Sequence, residues 1–225
     1  LMFFGPRIIT ENLVFAIDPA SHAVTYMNDI VNNTAVTTAG SPGSSTDGVK
    51  TVTFDANGEQ YHYGTTNAAR GLDDITIMGW VQQGSTSNPH QTLFCTSRSY
   101  RYGLKLMSRY HGQWSAWIGD SGTSDYLAGS GHDITGDSEF YLICCTRSAN
   151  TGHISLYEDG VHKTTKTDVN ITGTITENSN TAYGSEYHSQ GYYHFGKLGQ
   201  VWVWDRVLEA TEIREMFDAT ESRYK

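Results

Sequence analysis

The sequence is short of cysteine, of charge and of any long apolar run. Its three cysteines, Cys95, Cys144 and Cys145, are an odd count with one adjacent pair, so no disulfide framework is expected. Neighbours on a strand point to opposite faces, so Cys144 and Cys145 cannot both reach Cys95. All three are expected as buried free thiols. No CxxC exists to build a thiolate zinc site. Charged residues are 17% of the chain and the net charge is −9, which argues against nucleic acid or an anionic membrane surface as the main partner. No run of 18 apolar residues occurs, so no membrane insertion is expected. The opening LMFFGPRIIT meets Pro6 and Arg7 before an apolar stretch of useful length and is not expected to act as a signal peptide.

The signatures of common catalytic centres are missing too. The nine histidines are scattered, and none belongs to an HExxH motif. There is no GxSxG elbow and no phosphate loop. The acidic, Gly-rich stretch 120–137 lacks the alternating ligand spacing of an EF-hand. The triplets Asn32-Asn33-Thr34 and Asn170-Ile171-Thr172 match the glycosylation pattern and, without a secretory signal, are read as chance.

What the chain has is strand chemistry. Fourteen tyrosines and 23 glycines accompany abundant Thr and Ser, which fits strands and tight turns better than helices. NLVFAID (12–18) reads as a buried first strand, followed by VKTVTFD (49–55) and EQYHYG (59–64). In DITIMGWVQQ (74–83), Ile75, Ile77, Gly79 and Val81 share one face, and Thr76, Met78, Trp80 and Gln82 the other. QTLFCTS, RYGLKLMSR and QWSAWIG continue the pattern. EFYLICCTR (139–147) is apolar on both faces, as a central strand would be, and YYHFGKLGQVWVWDRV (192–207) is the last long strand region. Trp202 and Trp204 fall on one face of it and are expected in core or inter-sheet packing. The stretches 40–48 and 119–137 read as loops. Only the C-terminus reads as helix, over 208–222: Ile213, Met216 and Phe217 make one apolar face, and Glu209 and Glu212 sit in the first turn, where the helix dipole favours acids. One domain over 1–225, with an N-terminal arm at 1–11, is expected. Turn signals every 8–15 or so residues point to an all-β sandwich or jelly roll.

TGHISLYEDGVHKTTK (151–166) sets a choice between a catalytic carboxylate pair and a hairpin tip. Asp159-Gly160 between alternating residues is a strong hairpin signal, because Gly takes a positive φ without steric cost. Glu158 and Asp159 therefore belong to a turn.

Several segments in order resemble the LamG-like, concanavalin A-like jelly rolls. TVTFDANGEQYHYG is similar to that family's "FDG…DYI" strand pair, DITIMGWVQ to "TISAWVK", EFYLICCTRSANTGHISLYEDGVHK to "WYHVVATYD…IKLYVNG", and GKLGQVWVWDRVLEATEIREMFDA to "GKIGEVRIYNRALSAEEI…N". The resemblance implies a two-sheet antiparallel jelly-roll sandwich with a short terminal helix. Glucanases on this fold carry Glu-x-Asp-x-x-Glu on one strand, and no Glu here has Asp two residues on and Glu five residues on. No enzymatic activity is therefore expected. Relatives often hold a calcium ion at the rim, so a structural calcium at Asp55, Asn57 and Glu59 is an option, although Glu59-Gln60 departs from the family's "DDY" and no cofactor is expected otherwise.

The opening FFGPRIITENLVFAIDPA resembles versions of the domain in bacteriophage structural proteins. That implies a virion surface protein of capsid-decoration or fibre type, with other virion structural proteins as partners, host-surface glycans as a further partner, and a homo-oligomeric or larger assembly. The alternatives are a lectin-like carbohydrate-binding module of a cellular protein, extracellular or at the cell surface, and an atypical glycoside hydrolase. The candidate ligand-binding residues are Tyr187, His188, Tyr192 and Tyr193. They lie in YGSEYHSQGYYHF (183–195), where four tyrosines and two histidines stand among glycines. A second patch, RSYRYG with SRYHGQW, interleaves Arg and Tyr. Packing against neighbouring loops or a neighbouring subunit is the alternative for both.

Overall fold

The computed structural model describes residues 8–21, 27–45, 50–55, 60–63, 71–84, 90–95, 103–108, 113–120, 123–129, 134, 136–167, 181–185 and 193–225. Among these, the chain runs through β1 (Leu13–Ile17), β2 (Met27–Asp29), β3 (Thr34–Ala39), β4 (Gly43–Ser45), β5 (Thr51–Phe54), β6 (Tyr61–Tyr63), β7 (Ile75–Gln83) and β8 (Gln91–Cys95). It continues through β9 (Gly103–Ser108), β10 (Trp114–Asp120), β11 (Thr123–Ala128), β12 (Tyr141–Ser148), β13 (His153–Glu158), β14 (Val161–Lys166), β15 (Ala182–Tyr183), β16 (Gly196–Trp204) and a helix, α1 (Ala210–Tyr224). The strands form two eight-stranded sheets, one ordered β14-β13-β12-β7-β16-β5-β4 with β1 also on β16, the other β11-β10-β9-β8-β15-β6-β3-β2. The pairings are antiparallel. This is the jelly-roll sandwich that the pattern and the resemblance imply.

Alternation on β7 and its neighbours divides the apolar residues between two cores. Ile75, Ile77 and Val81 point between the sheets with Phe54, Leu93, Phe94, Leu104, Leu106 and Trp114. Met78 and Trp80 point to the outer face of the first sheet, where they meet Trp202, Trp204 and α1. Fully burying one such side chain stabilises by about 1.5–3 kcal/mol. Trp202 and Trp204 are thus core residues, but they lie beneath the helix and not between the sheets. The thiols follow the same alternation: Cys145 belongs to the inner core and Cys144 to the outer one, and all three cysteines are free and buried.

The helix begins later and runs further than 208–222. Leu208 lies before the helix, its N–H held by Thr76 Oγ1 at 2.9 Å. Glu209 is the N-cap, and its N–H donates to Glu212 Oε2 at 2.9 Å. The apolar face read from the sequence, Ile213, Met216 and Phe217, is buried, and Thr220 and Tyr224 extend it. Trp80 stacks on Tyr224 at 4.6 Å and donates its indole N–H to Thr220 Oγ1 at 2.9 Å. Arg223 forks onto Asp18, at 2.6 and 2.9 Å. Within the N-terminal arm, Ile9 is buried and its carbonyl accepts the Trp204 indole N–H at 3.0 Å.

β16 carries a bulge: Leu198 opposes Val81 but Val201 opposes Gly79, one residue too many on β16. The bulge leaves backbone groups without ladder partners, and two tyrosines from opposite faces take them. Tyr183 Oη donates to the Gly199 carbonyl at 2.7 Å, and the Gln200 N–H donates to Tyr224 Oη at 2.8 Å. Gly199 is needed for the close approach, since a Cβ there would stand 2.5 Å from the Tyr224 ring.

The two stretches read as loops each hold a strand. β4 lies in 40–48 as an edge partner of β5, and β11 lies in 119–137 as the hairpin partner of β10. Neither has a strong strand composition of its own, so pairing with a committed neighbour decides their conformation. The strand read from residue 192 starts at Gly196, because residues 194 and 195 spend their backbone groups on a bridge described below.

Candidate functional site

The YEDG stretch is a hairpin tip. Glu158 pairs with Val161, and Asp159 and Gly160 have φ of 51° and 75°, which is the two-residue turn with both central residues left-handed. Asp159 Oδ1 accepts the Leu142 N–H at 2.8 Å, and Oδ2 pairs with Lys225. Glu158 is buried and pairs with Lys163 at 3.1 Å. Both carboxylates hold the fold together at this corner.

Of the candidate ligand residues, Tyr193 is described and half-buried, while Tyr187, His188 and Tyr192 lie outside the described residues. Residues 193–195 cross from the second sheet to the first. The His194 N–H donates to the Gly184 carbonyl at 2.8 Å, just past β15, and the Gly184 N–H donates to Leu93 O at 3.0 Å on β8. On the other side the Gly84 N–H, just past β7, donates to Phe195 O at 2.7 Å. The Gln91 side chain ties the crossing together: its Oε1 accepts the Phe195 N–H at 3.0 Å and its amide donates to Gly84 O at 3.3 Å. Tyr193 is therefore presented from a junction fixed to β7, β8 and β15.

His194 fills the space inside that junction. Its ring is 1% exposed and meets Phe54 edge-on, 6.0 Å between centroids. Nε2 lies 3.2 Å from the Gln82 carbonyl, which can only accept, so Nε2 carries the proton. Nδ1 is buried and has no hydrogen-bond partner. Burial pushes the ring's pKa down to about 4, against smaller upward pulls from the Gln82 and Lys197 backbone groups. His194 is neutral at pH 7.

Two residues before Gly184, a row of paired positions runs across the second sheet. Cys95 stands beside Ala182 on one side and Lys105 on the other, and Trp117 stands beside Lys105. Tyr63 holds the register position beyond Ala182, and Tyr126 the position beyond Trp117. Leu104, Leu106, Trp114, Ala116 and Ile118 face the core, so Lys105, Met107, Ser115 and Trp117 belong to the outer face. Lys105, Met107 and Ser115 are buried there, and Trp117 is half-buried. Burial, set only partly against an upward pull from Cys95, pushes the Lys105 pKa down to about 8. The outer-face positions of β8–β10 hold no carboxylate.

Of the calcium candidates, Asp55 is exposed and its backbone N–H donates to Gln60 Oε1 at 2.9 Å. Asn57 and Glu59 lie outside the described residues, as does most of the RSYRYG and SRYHGQW patch. Trp114, at the end of that patch, is a core residue. Among the described residues no group of three or more His, Cys, Asp and Glu is placed to hold a metal ion. Sequence reasoning missed His194 and Gln91 as organisers of the tyrosine segment, because their partners are distant in the chain.

Two sheets, an inner core and one helix closing the outer face define a lectin-type sandwich. The family profile described as "Concanavalin A-like lectin/glucanases superfamily" matches residues 57–214, and the chain belongs to that superfamily. A search of curated proteins found no matching sequence. Among solved structures, the chain is similar to the binding domain of Paraclostridial Mosquitocidal Protein 1, at 18% identity and a TM-score of 0.71, covering 93% of this chain and 52% of that one. It is similar to the binding domain of Botulinum Neurotoxin DC in complex with SialylT, at 13% identity and a TM-score of 0.73, covering 93% and 52%. It is also similar to Domain 4 of AbnA, a GH43 extracellular arabinanase from Geobacillus stearothermophilus, in complex with arabinotriose, at 14% identity and a TM-score of 0.70, covering 91% and 98%. The chain spans about half the length of the toxin binding domains. At these identities the likeness is one of fold.

Proposed function

We propose that this domain is a non-catalytic glycan-binding module that holds its ligand with Tyr193 and the tyrosine-rich segment before it. The observation that carries the reading is the junction: an aromatic side chain, half-buried, is presented from a crossing pinned to three strands. A rigidly held aromatic with a polar tip suits the flat C–H face and hydroxyls of a sugar. Domain 4 of AbnA, a neighbour of nearly the same extent, is described in complex with arabinotriose, which supports a saccharide as the ligand class. The test is a glycan array with calcium and again with chelator, on the wild type and Tyr193→Ala. Selective binding that Tyr193→Ala reduces at least tenfold at unchanged melting temperature is the expected result. Glycan cleavage abolished by a single acid-to-amide change would overturn it.

A second reading, a virion surface protein whose glycan binding faces the host, is favoured by the resemblance of FFGPRIITENLVFAIDPA to phage structural proteins. It expects the chain in purified particles by mass spectrometry. Finding it in cells that carry no virus, at the cell surface or outside, would replace it with the cellular lectin-like module.

A further inference from the structure

We infer that His194 is an acid-sensitive latch: the junction that presents Tyr193 holds while the ring is neutral and opens when the ring takes up a proton. The inference rests on the glycan-binding reading for its consequence, and on geometry for its mechanism. The neutral ring satisfies one nitrogen, Nε2 on the Gln82 carbonyl, and leaves Nδ1 as a bare lone pair in a buried place. Protonation puts a charge in the sandwich interior, where burial opposes it more strongly than the Gln82 and Lys197 backbone groups favour it, and poorly compensated buried charge is among the most unfavourable states a side chain can hold.

Among the described residues, the Gln82 and Lys197 backbone groups favour the proton, but less than burial opposes it. β5 packs Phe54 against the ring, and β7 offers the Gln82 carbonyl already in use. The titratable groups described on the elements around the junction are Tyr193 beside the ring, Tyr183 of β15, Lys197 of β16, His90 just before β8, Cys95 at the end of β8, and Asp55, which is exposed at the end of β5. None of them supplies an acceptor to Nδ1. A charged ring is relieved by swinging into water. That motion breaks the Gln82 contact and works against the two neighbouring bonds, His194 N–H to Gly184 and Phe195 N–H to Gln91, that carry the crossing.

The sign follows from the two states. The open ring has the ordinary histidine pKa of roughly 6.5, and the latched ring one of about 4. Opening therefore grows as pH falls from about 6.5 to about 4 and levels off below that. Between pH 7.5 and pH 5 the ratio of open to latched junction rises roughly 30-fold, and ligand affinity falls with the latched fraction.

Amide hydrogen exchange on the intact chain tests this, corrected for intrinsic rates, alongside binding of the best glycan from the array at both pH values. The expected result is that protection of the Gly84, Gly184, His194 and Phe195 amides drops roughly 30-fold by pH 5 while the β7 and β12 amides keep theirs, and that the glycan's apparent Kd scales as one plus the open-to-latched ratio read from the exchange. His194→Gln, and His194→Phe should the first fold poorly, are expected to flatten both pH profiles. Protection that stays flat in the wild type, or that falls equally in the two variants, would overturn the latch. A glycan affinity that departs from that scaling would overturn its coupling to Tyr193. If no glycan binds at any pH, the glycan-binding reading fails, and hydrogen exchange still decides the latch by itself.

Discussion

Removing one oxygen from Tyr224 is expected to destabilise the whole domain measurably. The β16 bulge leaves the Gln200 N–H without a strand partner, and Tyr224 Oη accepts it at 2.8 Å. Tyr224→Phe keeps the ring on Trp80 and removes only the acceptor. An amide orphaned in a buried setting costs about 1–3 kcal/mol, and the lower half of that range applies here because the bond is only partly buried. For a chain of this length, roughly 1–2 kcal/mol lowers the melting temperature by about 2–8 °C. Urea unfolding followed by tryptophan fluorescence is the assay, and the midpoint should fall with the slope unchanged. Gly199→Ala should cost more than the hydroxyl, about 1–3 kcal/mol or above, because its Cβ would stand 2.5 Å from the Tyr224 ring. Combining it with Tyr224→Leu should recover at least about 1 kcal/mol of that clash in a double-mutant cycle. A Tyr224→Phe variant within about 0.3 kcal/mol of wild type would refute the account of the bulge, and additive behaviour of Gly199→Ala with Tyr224→Leu would refute the contact.

Gly160→Ala should destabilise by about 1–2 kcal/mol, because Gly160 has φ of +75° and an added Cβ would press on Arg214 and Phe217 of α1 at 3.0 and 3.1 Å. Urea titration reads the loss, and a neutral outcome would mean that the turn relaxes away from the helix. The three thiols should not react with a thiol-specific dye in the native protein and should all react on unfolding, since each is buried and burial pushes Cys144 and Cys145 well above the ordinary thiol range. A fast-reacting native thiol would contradict the burial.

The strands that could be read from the sequence are those that carry their own signal. β7 alternates over nine residues, β12 is apolar on both faces because both faces are covered, and Asp159-Gly160 marks its hairpin whatever surrounds it. β2, β3, β4, β11 and β15 could not be read that way. They are two to six residues long, several of them rich in Ser, Thr, Gly or Asp, and they are strands because a longer neighbour pairs with them. The candidate site divides similarly. Composition alone drew the eye to the tyrosines, but nothing local to His194 tells that Gln82, Gly184 and Gln91 converge around it. The helix start was misplaced by two residues because Leu208 is apolar and fits the helical period, whereas its N–H is spent on Thr76.

The position of β16 has a consequence for the order of events at the ribosome. The first sheet hangs on this one strand, which pairs with β1, β5 and β7, yet it is made after all three of them. At roughly 5–20 residues per second, β7 exists for on the order of ten seconds before β16 has been synthesised. During that wait β1 and β5 lack their central partner, and the outer face of β7, with Met78 and Trp80, lacks its helix. β7, β12, β13 and β14 can pair before then, and β1, β4 and β5 join them only when β16 arrives. Nascent chains stalled before residue 196 should be bound by chaperones, and those stalled after α1 has emerged should resist protease.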